Sequence, residues 1–186
     1  MFFKTLTLLL SLATAVTPRS VKRDESTKLY AYGKGISGFE VYAGLNGTAY
    51  VAASASANLT ELTWASPSMD ATWNVTANST DPELPVDTGR VFYIINSDTV
   101  YEPCGFKSPN ETLPADASTT GFFLFGKQAF WSDGSSYEAQ FWAQATGETD
   151  VYTLNWNKAG IEQTDSVPVT VKTAAPATLD RSKHRH

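Results

Sequence analysis

The chain predicts an all-β fold, an antiparallel β-sandwich of about ten short strands, with a compact barrel as the alternative. Three observations carry that expectation. Short runs rich in Val, Thr, Tyr, Phe and Trp recur between Gly, Asn, Asp and Pro turn signals. Several of these runs alternate apolar and polar residues with period two. No window of a dozen residues carries a helical repeat.

From the N-terminus, strands are expected at Lys28–Tyr32, Phe39–Ala43, Thr48–Ser54, Leu59–Ala65 and Thr72–Ala77. They continue at Val91–Asn96, Phe122–Trp131, Tyr137–Ala145, Val151–Asn157 and Val167–Thr173. Leu45-Asn46-Gly47 joins the second and third strands, because Asn-Gly adopts the positive φ angles of a tight hairpin. In Thr72–Ala77, Trp73, Val75 and Ala77 share one face, and Thr72, Asn74 and Thr76 share the other. In Val151–Asn157, Tyr152, Leu154 and Trp156 face one way, and Thr153, Asn155 and Asn157 the other. Val91–Ile95 is apolar on both faces and reads as a central strand. Ser132-Asp133-Gly134-Ser135 and Thr146-Gly147-Glu148-Thr149-Asp150 link the later strands into an antiparallel meander. Asn78–Gly89 and Pro103–Thr120 read as exposed loops, with one short turn within Pro114–Ser118.

Residues 1–15 have the layout of a signal peptide. Lys4 supplies the positive start, Leu6 to Leu12 the apolar stretch, and Ala13-Thr14-Ala15 the cleavage pattern after Ala15. That stretch is far shorter than the roughly 20 residues of a membrane span, so no membrane insertion is expected. Lys22-Arg23 then precedes Asp24, the dibasic pair that Golgi processing proteases cut; the alternative is a solvated charge pair in a loose arm. Cleavage after Arg23 makes residues 16–23 a short propeptide, 24–176 a single domain and 177–186 a basic flexible tail. The product is expected to be extracellular.

Five of the eight asparagines stand in Asn-X-Ser/Thr sequons: Asn46, Asn58, Asn74, Asn78 and Asn110. With this Ser and Thr content chance gives about two. Together with the leader they point to a secreted chain with N-linked sugar on its surface.

Between Asp24 and Asp180, 7 Lys and Arg stand against 19 Asp and Glu, a net charge of −12. Such a surface repels phosphate backbones, so nucleic acid is not an expected partner. The only histidines, His184 and His186, fall in the tail, which removes Ser-His-Asp and Cys-His chemistry and His-based metal sites. Cys104 is the only cysteine, so no internal disulfide can form, and it reads as a small buried apolar residue. Gly33-Lys34-Gly35-Ile36-Ser37-Gly38 is glycine-rich but no helix follows it, so no phosphate loop, and no cofactor, is expected. Carboxylates remain. A glycosidase places two of them about 5 Å or roughly 6.5–9.5 Å apart. Asp98, Glu102, Asp133 and Glu138 lie near strand ends, with no spacing that singles out a pair.

One binding face suggests itself. In Tyr137–Ala145, Tyr137, Ala139, Phe141, Ala143 and Ala145 form one face, and Glu138, Gln140, Trp142 and Gln144 the other. A tryptophan flanked by Gln140 and Gln144 has the character of a sugar-stacking platform; the alternative is an indole covered by a loop or the second sheet. Trp131, beside the Asp133-Gly134 turn, is a weaker candidate.

Leu29-Tyr30-Ala31-Tyr32-Gly33 with Ile36-Ser37-Gly38, Phe123-Leu124-Phe125-Gly126 before Ser132-Asp133-Gly134, and Asn155-Trp156-Asn157 before Val167-Pro168-Val169 span most of the mature domain. The pattern resembles a group of uncharacterised small secreted proteins of filamentous ascomycete fungi. That resemblance implies fungal origin, secretion and, in plant-associated species, an effector role. It brings no catalytic residues. The expectation is a secreted fungal N-glycoprotein that acts by binding rather than catalysis, with a host protein as partner. A cell-wall polysaccharide bound by a protein of the fungus itself is the alternative, and a carboxylate glycosidase the third reading.

Overall fold

The computed structural model describes residues 27–65, 72–77, 88–108 and 110–177. The leader with Ala15, the Lys22-Arg23 pair, Asn78 and the rest of the expected loop up to Asp87, and the tail with His184 and His186 lie outside the described residues. In chain order the strands begin with β1 (Tyr30–Gly33), β2 (Ile36–Gly44), β3 (Ala49–Ala52), β4 (Leu59–Thr60), β5 (Leu62–Trp64) and β6 (Asn74–Ala77). There follow β7 (Thr88–Ile95), β8 (Glu102–Pro103), β9 (Gly105–Lys107), β10 (Ala117–Ser118) and β11 (Phe122–Phe125). The last are β12 (Gln128–Ser132), β13 (Tyr137–Glu138), β14 (Phe141–Ala145), β15 (Val151–Trp156) and β16 (Ser166–Lys172). No helix occurs among the described residues, and every pairing is antiparallel.

Six strands close on themselves in the order β1-β2-β3-β15-β14-β16, with β16 returning to β1 from Tyr30↔Lys172 to Gly33↔Val169. Closure leaves those six strands without a free edge. β12 and β11 extend the barrel from β16, while β4, β8 and β13 lie along β2, β15 and β12. A second sheet runs β10-β7-β6-β5, with β9 also on β7. The fold therefore joins a closed barrel to a layer packed against it. β7 is central in that layer, as the apolar run Val91–Ile95 requires. The alternation of the sixth strand also appears in space: Trp73, Val75 and Ala77 are buried, Asn74 and Thr76 exposed.

Several expected strands are each two strands. Leu59–Ala65 changes sheets at Glu61, with β4 pairing β2 in the barrel and β5 pairing β6 in the second layer. Phe122–Trp131 folds back at Gly126-Lys127, whose φ angles of 57° and 71° make a two-residue hairpin of the primed kind. Tyr137–Ala145 breaks at Ala139-Gln140: β13 pairs β12, whereas β14 pairs β15 and β16. Tyr137 is consequently 71% exposed and does not share the core face of Phe141 and Ala143. The stretch from Pro103 to Thr120 is more ordered than a loop. β9 and β10 pair successive parts of β7, and two- and three-residue strands are too short to show alternation. The chain changes sheets again at Cys104, between β8 on β15 and β9 on β7.

Both layers feed one core. Trp64 meets Trp73, Phe92 and Phe106 edge-on at 5.7, 5.4 and 5.6 Å between ring centroids. Phe122, from the barrel extension, lies 5.1 Å from Trp73 and 5.2 Å from Phe92. Deeper in the barrel, Trp156 packs against Phe141 at 4.9 Å and Trp131 at 6.2 Å. Such pairs add about 0.5–1.5 kcal/mol each beyond the area they bury. Truncating Trp73 removes contacts to both layers. Trp73→Ala should cost about 3–5 kcal/mol in urea unfolding, and Phe125→Ala on the outer face within about 0.5 kcal/mol. A Trp73→Ala loss below about 1 kcal/mol would show that the layers do not share a core.

Candidate functional site

The described sequon asparagines are all at the surface. Asn46, Asn58 and Asn110 stand in turns or connecting segments and Asn74 on β6, and each is exposed. Asn46 has a defined geometry in the β2–β3 hairpin. Its Oδ1 accepts the Thr48 N–H at 3.1 Å and its Nδ2 donates to the Tyr50 hydroxyl at 3.3 Å. Gly47, at φ 78°, completes the turn. Asn46 forms the ridge between two clefts. One, of about 280 Å³, is lined by Tyr50, Asn58, Leu59, Glu148 and Val151, and the other by Arg90, Tyr93, Phe106, Lys107 and Thr112.

The expected tryptophan platform is only partly open. Trp142 and Gln144 are half-buried on the outside of β14, and Gln140 is exposed just before that strand. Trp142 pairs in register with Asn155 and Pro168, and Gln144 with Thr153 and Ser166. This outer face is tied together by hydrogen bonds. Tyr101 Oη lies 2.7 Å from Ser166 Oγ, and Thr153 Oγ1 donates to Asn155 Oδ1 at 2.7 Å. Asn155 is buried despite its outward position. Asn157 is buried too, and its amide bonds the Ile161 C=O and N–H at 2.9 Å each, satisfying both polar ends. Trp131 belongs to the core: it is 4% exposed and its indole N–H donates to the Thr120 carbonyl at 2.9 Å. It offers no stacking surface.

A different aromatic face stands open. Phe123 pairs with Phe130, Phe125 with Gln128, and Tyr137 with Ser132, so these side chains share the outside of β11–β13. Phe123 stacks on Phe130 at 5.7 Å and meets Tyr137 edge-on at 5.1 Å. Phe125 and Tyr137 are 74% and 71% exposed, and with Leu124 the rings line an apolar cleft of about 370 Å³. Reading Gly126-Lys127 as a hairpin would have placed Phe123, Phe125 and Phe130 together from sequence alone.

The carboxylates fall into separate settings. Asp98 is exposed and pairs with Lys158 at 3.2 Å, and Glu102 is exposed in another cleft. Asp133 and Glu138 come together across the Ser136 hydroxyl, at 3.4 and 3.1 Å. Asp133 serves its own turn, accepting from the Ser135 amide and hydroxyl at 2.8 Å and the Ser136 amide at 2.9 Å. Those bonds, the Ser135 amide first, hold its carboxyl well below the usual range, the opposite of what a general acid needs. No group of three His, Cys, Asp or Glu that could hold a metal occurs among the described residues. No family model, curated protein or solved structure matches the chain. Fold and surface thus define its class, an all-β protein built from a six-stranded antiparallel barrel and an attached sheet.

Two groups carry measurable chemistry. Burial pushes the Cys104 thiol up, and the residue is 1% exposed. Cys104 should resist iodoacetamide in the native protein and react once unfolded in guanidinium; alkylation at equal rates in both states would place the thiol at the surface. Burial, then the Glu40 carboxylate, raises Tyr42 from 10.0 to about 12. The unfolded phenol ionises first, so stability is full below pH 10 and falls as pH rises from 10 to about 12. The loss is about 2–3 kcal/mol, and Tyr42→Phe should remove that part of the slope in denaturant titrations. An unchanged slope would assign the alkaline loss to other groups.

Proposed function

We propose that this chain is a secreted fungal N-glycoprotein that acts by binding, an effector at a host interface whose contact surface is the aromatic outside of β11–β13. The observation that carries the reading is the pair of exposed rings there, Phe125 and Tyr137. Large apolar side chains at 74% and 71% exposure lie side by side with Phe123 and Phe130. A contiguous exposed apolar patch is unfavourable in water and gains free energy when a partner covers it. Sequon placement agrees with this: every one lies at or before Asn110, leaving the segment that forms the aromatic face free of attachment points. The exposure of Asn46, Asn58, Asn74 and Asn110 supports the glycoprotein part of the proposal.

A second reading, a wall-polysaccharide binder of the fungus itself, draws on Trp142. Its half-exposed indole stands between Asn155 and Pro168 in register, with Gln144 next on the same strand face, a mixture of ring and hydrogen-bonding groups of the kind sugars recognise.

One binding assay separates the two. The glycoprotein from Asp24 onward is presented to insoluble chitin, β-glucan and plant cell wall, and then to soluble proteins of the host extracellular space. The expected result is no polymer retention and a saturable protein complex lost in Phe125→Ser/Tyr137→Ser but kept in Trp142→Ala. Retention on one polymer that is lost in Trp142→Ala would replace the effector reading with the wall reading.

A further inference from the structure

We propose that the cleft beside the β2–β3 hairpin is the seat of the protein's own sugar: the innermost N-acetylglucosamine on Asn46 packs its apolar face on Tyr50 and covers a small apolar cluster. The inference rests on the N-glycoprotein reading and assigns one glycan a structural role. Attachment transfers the oligosaccharide from a lipid-linked pyrophosphate donor. The Nδ2–C1 bond forms, the C1–O bond to the pyrophosphate breaks, and one amide proton passes to the transferring enzyme's base.

The side chain that would carry the sugar is already positioned. Thr48 N–H holds Oδ1 at 3.1 Å and the Tyr50 hydroxyl holds Nδ2 at 3.3 Å. The nitrogen to be modified therefore sits beside the Tyr50 ring, on the side of the ridge that faces the 280 Å³ cleft. That volume lies just below the roughly 300–1,000 Å³ typical of small-molecule sites, which suits a single sugar ring. A surface asparagine with no set rotamer would have no such preference.

The apolar surface that the cleft leaves open is that of half-buried Tyr50 and Val151 and of exposed Leu45, above residues that are already buried. Tyr42, Ala52 and Leu59, with Tyr50 and Val151 packed on them, form a cluster separate from the main core. Tyr50, Leu59 and Val151 line the cleft, and Leu45 at its rim is 56% exposed. Ser56, Thr146 and Glu148 supply hydrogen-bonding groups around this apolar floor. A pyranose has one apolar face and a polar rim, which matches an apolar floor bordered by hydroxyls and a carboxylate. Asn58 also lines this cleft but no hydrogen bond sets its side chain against Tyr50 as Asn46 is set, and Asn74 and Asn110 do not line it.

Thr48→Ala isolates the effect, because it destroys the acceptor sequence yet keeps Asn46 and the backbone N–H that Asn46 accepts. The full chain is made in a glycosylating eukaryotic host and, without sugar, in bacteria, as wild type and Thr48→Ala. Glycopeptide mass spectrometry is expected to find Asn46 occupied. Thr48→Ala should lower Tm by about 2–4 °C in the glycosylated protein beyond any change in the bacterial one. Thr112→Ala, which removes the Asn110 acceptor, should give no such difference. Asn46 bare while other sequons carry sugar would overturn the inference, as would an equal Thr48→Ala effect in both preparations; either leaves the glycoprotein reading standing. Sugar on no sequon at all would remove that reading, and the inference with it.

Discussion

The structure depends on the aromatic seam between its two sheets. With one cysteine, no disulfide can hold the attached layer to the barrel. Adhesion rests on Trp64, Trp73, Phe92, Phe106 and Phe122, all buried and in mutual ring contact. Trp64 and Phe106 sit on strands that immediately follow a change of sheet, at Glu61 and Cys104. The chain is thereby stitched across the seam at the points where the rings close it. Cys104 itself donates its N–H to Leu154 at 2.7 Å and accepts from Ala49 at 2.9 Å, both in the barrel, while the next residue pairs with β7. A small side chain suits a position that both layers approach.

What could be read from the residues follows from how local the signals are. The sixth strand was legible because Trp73, Val75 and Ala77 alternate with polar neighbours, and burial on one face enforces that alternation. Val91–Ile95 was legible for a different reason: it is apolar throughout, and strands pair with it on both edges while Phe92 and Ile94 enter the core. The change of sheet at Glu61 was not legible, since it lies inside one run read as a strand, and that at Cys104 was not, since Pro103 and Gly105 make the segment read as a loop; each shows itself only in which partner is reached. The same limit hid the Gly126-Lys127 turn. A lysine at positive φ carries no compositional mark, so the two strands of that hairpin read as one. That single turn decides which aromatic face is open. The candidates the residues did offer, Trp142 on the polar face of Tyr137–Ala145 and Trp131 beside the Asp133 turn, are half covered and buried by the fold.

The surface divides by chemistry along the chain. The described acceptors occupy positions 46–110, around the β2–β3 hairpin, the turn before β4, the outside of β6 and the segment after β9. The open rings are Phe125 and Tyr137, on the barrel's extension beside buried Phe123 and half-buried Phe130. Sugar would keep the first region solvated and bar partners from it by bulk; the second has only its own rings and the Asp133 turn at its margin. On the proposed reading the first surface is shielded and the second adhesive, and the closed barrel needs neither for its own hydrogen bonds.

The single buried thiol gives the molecule a further property. Proteins that work outside cells commonly gain stability from crosslinks, and so become hostage to the electron balance of their surroundings. Here no disulfide exists to be reduced, and the one thiol is shut away between two sheets. Barrel and seam are held together by strand hydrogen bonds and burial, which are indifferent to redox potential. The same native structure is therefore available in an oxidising exterior and in a reducing cytosol, without refolding between them.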